Sequence, residues 1–256
     1  MTIGLTIWES NAIMMNMMKF MISKTCILLG IGLLFFTAGC KKDEYYLDGG
    51  KANANFKGTM LEYLKSRTVP FDTIASIVKL AGMEDVFNKE DITFFAPTDY
   101  EVREMIGSVK KPNSLNFALY RNGKDTIKTL ADIDGAIWAK YLQRHIFKGA
   151  KKLEDYPQFD PDLTAVYPGQ NYYAYNNTAA KIGVIYGDVD GVKYIGYRRL
   201  TITYISDLSN PDQSFNTYRV SSSDIKPQNG VVHALQLYGD AFGLGAYDMI
   251  NDITNR

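Results

Sequence analysis

The sequence predicts an α+β protein in which early helices pack on a sheet or wedge built from later strands. Apolar residues recur at helical spacing between Leu61 and Ile146. From about residue 163 the pattern changes to short alternating segments rich in tyrosine. No internal repeat is visible, so helices early and strands late fit one mixed domain, expected over residues 56–245 with an extended tyrosine-rich β region.

Ahead of that domain lies a targeting segment. Thr25–Phe36 is a mostly apolar run of about twelve residues, where a spanning helix needs roughly 20 and a signal-peptide apolar region roughly 7–15. Lys19 and Lys24 supply its positive flank, and the run ends in Thr37-Ala38-Gly39-Cys40 before the charged Lys41-Lys42-Asp43-Glu44. This resembles the lipobox of a bacterial lipoprotein precursor, with Thr37 where Leu or Val is more usual. The resemblance implies removal of residues 1–39, acylation of Cys40 and a membrane anchor through that lipid, with Met17 or Met18 suited to start such a signal. The charges after Cys40 are similar to the signal that sends lipoproteins of one large Gram-negative group to the outer face. The location this implies is the outer membrane, lipid-anchored and facing the cell surface. Residues 40–55, with Asp48-Gly49-Gly50, read as the lipidated cysteine and a flexible tether.

The domain's elements follow in order. Leu61 and Leu64 at i, i+3 place a helix in Gly58–Arg67. Pro70-Phe71-Asp72 ends one element and starts the next, with Asp72 as N-cap for a helix over Thr73–Ala81 and Gly82 as its stop. A short helix over Met83–Phe87 comes next. Ile92–Phe95 has strand composition, and Thr98 with Glu101 is a capping box opening a helix through Ile106. Leu130–Phe147 reads as one helix with Ile133, Ile137, Tyr141, Leu142 and Ile146 on one face, beside Trp138. Lys181–Tyr186 and Val192–Tyr197 flank Asp188-Val189-Asp190-Gly191 as a hairpin. Tyr197–Ile205 is a strand with Ile202 and Tyr204 opposite Thr201 and Thr203. Pro227-Gln228-Asn229-Gly230 is a tight turn, Val231–Leu235 a buried last strand, and 246–256 a C-terminal tail.

Charge and cysteine usage narrow the function. The 28 Lys+Arg balance 28 Asp+Glu, and loss of residues 1–39 leaves a net charge of about −1. The concentrated basic excess that nucleic-acid binding demands is absent. The 2 cysteines are Cys26 and Cys40. The first leaves with the signal and the second would carry lipid, so a packed core rather than a disulfide must stabilise the mature protein.

Three segments together resemble a fasciclin domain. They are Thr93-Phe94-Phe95-Ala96-Pro97-Thr98-Asp99, then Leu142-Gln143-Arg144-His145-Ile146, then Asn229-Gly230-Val231-Val232-His233-Ala234-Leu235. They occur in the family's order, and the resemblance covers about residues 56–240. Arg144 stands where the family often has the tyrosine of a Tyr-His pair, so the receptor-binding role of that segment in some animal members does not carry over. The stretch between His145 and Asn229 is longer than the family norm. The resemblance implies adhesion or recognition of extracellular proteins or polysaccharides, without catalysis. An accessory glycan-binding role in an outer-membrane polysaccharide-capture complex is the alternative.

The candidate chemistry agrees with a non-enzymatic reading that needs no cofactor and no metal. The 2 histidines, His145 and His233, lie in apolar surroundings and read as buried groups bonded to backbone or hydroxyl partners. Ser221-Ser222-Ser223-Asp224 lacks a nucleophile elbow and reads as an edge and turn. Asp188-Val189-Asp190-Gly191 lacks the further ligands of an EF-hand loop and reads as a hairpin turn. Strand tyrosines Tyr194, Tyr197 and Tyr204 read as filling a pleated surface. Tyr172, Tyr173 and Tyr175, in a loop-like stretch with Gln170, Asn171, Asn176 and Asn177, are the candidate ligand-binding residues. For them two readings stand: rings exposed for stacking, or rings that fill the half-buried face of a sheet.

Overall fold

The computed structural model describes residues 54–205, 208–210, 217–236 and 246–254. The signal segment, Cys40 and the tether as far as residue 53 lie outside the described residues. The described chain runs α1 (Met60–Ser66), α2 (Thr68–Leu80), α3 (Glu84–Lys89), β1 (Ile92–Ala96), α4 (Asp99–Ile106), α5 (Leu115–Arg121), α6 (Gly135–Leu142), β2 (Ile146–Lys148), β3 (Gln170–Tyr173), β4 (Ala179–Tyr186), β5 (Arg198–Tyr204), β6 (Thr217–Ile225), β7 (Gly230–Gln236) and α7 (Ala246–Thr254). This is the expected α+β arrangement, built on a 7-stranded sheet of order β2-β1-β7-β6-β5-β4-β3. Among the described strands only β1 and β7 pair in parallel. None of the described helices is long and apolar enough to cross a membrane.

Two cores hold the sheet. On one side Met60, Leu64, Ile74, Phe87 and Trp138 from the helices meet Ile92, Phe94 and Val232. On the other, Phe95, Phe147 and Leu235 join Ile182, Leu200 and Ile202. Successive strand residues point to opposite faces, so Phe94 and Phe95 enter different cores. Strands covered on both faces read as continuous apolar runs rather than alternations, and β1 and β7 both do. The register sets Phe94 beside Ile146 on one neighbour and Val232 on the other. The outermost strands also approach each other. Beyond β3, the Tyr175 N–H donates to the Ile146 carbonyl of β2 at 2.8 Å, which brings the two ends of the sheet together.

Local chemistry explains the helix ends. Thr59 and Glu62 form a capping box on α1, with the Glu62 N–H donating to the Thr59 hydroxyl at 3.2 Å and the Thr59 N–H to the Glu62 carboxylate at 2.8 Å. α2 is kinked at Val69 and Pro70, whose backbone is non-helical. Its cap differs from expectation. Asp72 lies inside the turn, and Asp99 caps it from across the fold, accepting the N–H groups of Asp72 at 3.1 Å and Thr73 at 2.8 Å. α2 ends as expected at Gly82, φ 66°, where Met83 N–H bonds the Val78 carbonyl and Gly82 N–H that of Lys79.

The single helix expected over Leu130–Phe147 is four elements. A 3-10 turn, Leu130–Asp132, precedes α6, whose N-cap Asp134 accepts the Ala136 N–H at 2.7 Å. After α6 a second 3-10 turn, Gln143–His145, leads into β2. The hairpin expected at 181–197 is also revised. β4 is present, but Val192–Tyr197 forms turns, with one short bridge between Val189 and Val192. Ser221–Asp224 lies within β6, past Arg219, the last residue that pairs with β5, and runs beside β7 across register shifts. It is a bulged strand segment with one open edge rather than a turn. α5 carries no expectation from the sequence. Residues 246–254, read as tail, form α7, with Met249 and Ile250 buried in the helical core. Residues 54–56 are paired as well, since Lys226 N–H donates to the Ala54 carbonyl and Phe56 N–H to that of Lys226.

Candidate functional site

The stretch expected to be loop around Tyr172 is an edge strand, and the strand pleat sorts the three candidate tyrosines. β3 pairs with β4 through Tyr172↔Ala180 and Tyr173↔Ala179, so the two rings point to opposite faces. Tyr173 is 66% exposed. Tyr172 is half-buried, its ring edge-on to that of buried Tyr156 at 5.4 Å, with the Lys151 ammonium 5.8 Å from its ring. Its hydroxyl donates to Gln170 Oε1 at 3.2 Å, and burial pushes its phenol pKa up.

Tyr175 is a structural residue. Its hydroxyl donates to both oxygens of the Glu90 carboxylate at 2.9 and 3.1 Å, and its ring packs on the helical core. The bond to Glu90 pushes its pKa up, so the phenol stays a donor. Asn176 is committed too: Nδ2 donates to the Lys140 carbonyl, and Oδ1 accepts from the Thr178 N–H and hydroxyl. The candidate site therefore contracts to Tyr173 with exposed Asn171 on one face, and the rim of Tyr172 with Lys151 on the other.

The histidines do not converge. His145 Nδ1 is bonded to the Tyr204 hydroxyl, fully inside the fold. His233 Nε2 donates to the Lys151 carbonyl at 3.0 Å, and its Nδ1 accepts the Asp224 N–H at 3.2 Å. Burial pushes the His233 pKa down to about 4, and the ring is neutral at pH 7. Both histidines have the expected structural partners. Among the described residues no three His, Cys, Asp or Glu side chains are grouped to hold a metal ion.

The signature segments have visible work. Thr93, fully buried, donates its hydroxyl to the Gly149 carbonyl at 2.6 Å and accepts the Lys151 N–H at 2.8 Å. Asn229 ties three elements together: Oδ1 accepts the Met60 N–H at 2.8 Å, while Nδ2 donates to the carbonyls of Phe87 at 3.1 Å and Glu90 at 2.9 Å. A Cβ at Gly230, φ 144°, would lie 1.9 Å from the Ile92 carbonyl oxygen, so only glycine lets β7 lie this close to β1.

The described chain is thus an α+β protein whose signature segments brace the sheet and whose exposed aromatics include Tyr173 on β3 and Tyr197 before β5, besides Tyr100 and Tyr120 on α4 and α5. No family model matches the chain. No curated protein matches it either. Among solved structures it is similar to a FAS1 domain pair from the insect cell adhesion molecule fasciclin I, at 17% identity and a TM-score of 0.42, covering 70% of this chain and 49% of that one. The match spans about half the length of the domain pair.

Proposed function

We propose that this chain is a non-enzymatic surface lipoprotein, a fasciclin-type adhesion or extracellular binding module held to the outer membrane by lipid on Cys40. One observation carries the domain reading. The three sequence blocks that resemble the fasciclin signature lie on or beside adjacent strands β2, β1 and β7, with Phe94 paired to both Ile146 and Val232. The sequence around Cys40 supports the anchor. Exposed Tyr173 beside Asn171 favours a second reading as an accessory glycan-binding component, because aromatic faces and amides suit sugar C–H faces and hydroxyls.

Two measurements test the proposal. Intact mass of the native membrane-bound protein should show acyl chains on Cys40 and loss of residues 1–39, and Cys40→Ala should release it from the membrane. An array of immobilised extracellular proteins and polysaccharides, probed with the purified chain, should show selective capture. An unprocessed native chain rejects the anchor, and an array without capture rejects the binding module.

A further inference from the structure

A concave surface lies on the long tyrosine-rich stretch, lined by none of the β3 candidates. Residues 187–197, between β4 and β5, are folded back by their own bonds. Gly187 N–H donates to the Tyr197 carbonyl at 2.7 Å and Gly196 N–H to that of Gly187 at 2.8 Å. Asp188 accepts the Tyr194 N–H at 3.0 Å and pairs with Lys193 at 2.9 Å. Tyr194 sits at φ 66°, unusual for a residue with a side chain. Its hydroxyl reaches the Asp160 carboxylate at 2.8 Å, and its ring meets that of Tyr167 at 5.2 Å. The bond to Asp160 pushes the Tyr194 pKa up to about 12, so the phenol keeps its proton. A positive-φ tyrosine held at both ends is pinned rather than merely placed on a pleat.

Between this loop and residues 159–162 lies an open cavity of about 300 Å³, at the small end of ligand pockets, which run about 300–1,000 Å³. Its lining combines three kinds of group. Tyr194 and Tyr197 bring rings, Asp160 and Asp162 carboxylates, and Lys193 and Arg219 cations. Tyr197 is 60% exposed, and a Cβ at position 187 would strike its ring at 2.6 Å, so Gly187 leaves room for the ring against the backbone. A strongly charged ligand would meet both signs at once. A flat apolar ligand would make no use of the Asp162 carboxylate or the Arg219 guanidinium in the lining. A ring with C–H faces and several hydroxyls uses all three: phenol rings for its faces, carboxylates as acceptors, and cations as donors.

We propose that the cleft between residues 159–162 and the 187–197 loop is a binding site for a neutral saccharide unit. This rests on reading the protein as a surface binding module. The purified full chain, in a detergent without sugar headgroups, is titrated with neutral gluco-, manno-, galacto- and xylo-hexasaccharides and with one uronic-acid hexasaccharide. At least one neutral sugar should bind. Tyr197→Ala and Asp162→Asn should each weaken it about tenfold or more, and Tyr173→Ala should hold affinity within about twofold. Both cleft positions are exposed, and unchanged melting temperatures confirm that the variants are folded. Binding of no neutral sugar, binding of the acidic one alone, or unchanged affinity in both cleft variants overturns the site. Capture of protein or polysaccharide in the array with the cleft variants unimpaired leaves the binding-module reading standing and rejects only this cleft. Failure of the array as well rejects both.

Discussion

Acid should destabilise this protein through His233 in a defined pH window. The ring is fully buried, tilted against Phe95 at 5.0 Å and edge-on to Tyr156 at 6.3 Å. Its partners assign the neutral Nε2–H tautomer, since Lys151 offers a carbonyl and Asp224 an N–H. A second proton on Nδ1 would point at the Asp224 N–H. The Asp224 carboxylate, 3.9 Å away, favours the charged ring, but the cost of desolvating it is larger, and the pKa is pushed down to about 4. In the unfolded chain the imidazole titrates near 6.5. Between those values the unfolded chain binds a proton that the folded one does not, so stability falls as pH falls. At 1.36 kcal/mol per pH unit this amounts to about 3 kcal/mol by pH 4, a large part of an ordinary domain's roughly 5–15 kcal/mol. Urea unfolding at constant ionic strength from pH 7.5 to 4 should show the wild type losing about 3 kcal/mol more than His233→Gln, the other acid-sensitive groups being common to both. Parallel stability curves would refute the reasoning. So would an NMR titration that places the folded His233 pKa near 6.5, a measurement that needs no variant.

Three further outcomes follow from the packing. Phe94→Ala removes a fully buried ring packed edge-on to Phe87 at 5.0 Å and should cost about 3–5 kcal/mol in chemical unfolding; an unchanged midpoint would contradict the burial. Asn229→Asp keeps an acceptor for Met60 N–H but faces the Phe87 and Glu90 carbonyls with a carboxylate. It should cost about 2–3 kcal/mol at pH 7, and Asn229→Ala separates the repulsion from the lost bonds. Tyr175→Phe removes only the hydroxyl that meets Glu90 and should cost about 1 kcal/mol, with binding on the array unaltered if the residue is structural.

What the sequence discloses is what is local or doubly buried. Ile92–Phe95 and Val231–Leu235 are legible because strands covered on both faces leave continuous apolar runs. Thr98 with Glu101 and Gly82 are legible because caps are written within a few residues. Leu130–Phe147 misleads for a physical reason. Leu130 and Ile133 come from a 3-10 turn and its cap, Ile137 from a helix and Ile146 from a strand, yet all face the helical core and imitate one helical face. The Asp99 cap on α2 has no local signal, because donor and acceptor are far apart in the chain. β3 reads as loop because an edge strand with Gln170, Asn171 and Tyr173 exposed shows no apolar alternation. The cleft at Tyr194 is illegible for a similar reason. Tyrosine composition suits a strand face, and only the loop's return to Asp160 shows a pinned ring instead.

The position of each tyrosine hydroxyl separates rings that can report on binding from rings that cannot. Tyr175 and Tyr194 direct theirs to the carboxylates of Glu90 and Asp160, and Tyr204 directs its own to buried His145. Removing those rings loosens β3, the 187–197 loop or the second core, so lost binding would not distinguish contact from fold. Tyr173 and Tyr197 are the largely exposed rings of the two candidate surfaces, at 66% and 60%. Surface substitutions usually change stability by about 0.5 kcal/mol or less, against the several kcal/mol expected at Phe94. Affinity lost at Tyr173 or Tyr197 with an unchanged melting temperature is therefore affinity carried by the ring itself. Tyr173 lies on β3 and Tyr197 at the end of the 187–197 loop, so their effects should add when both are removed if each touches the ligand independently. A double variant that loses no more than one single variant would mean that only one of the two surfaces is engaged.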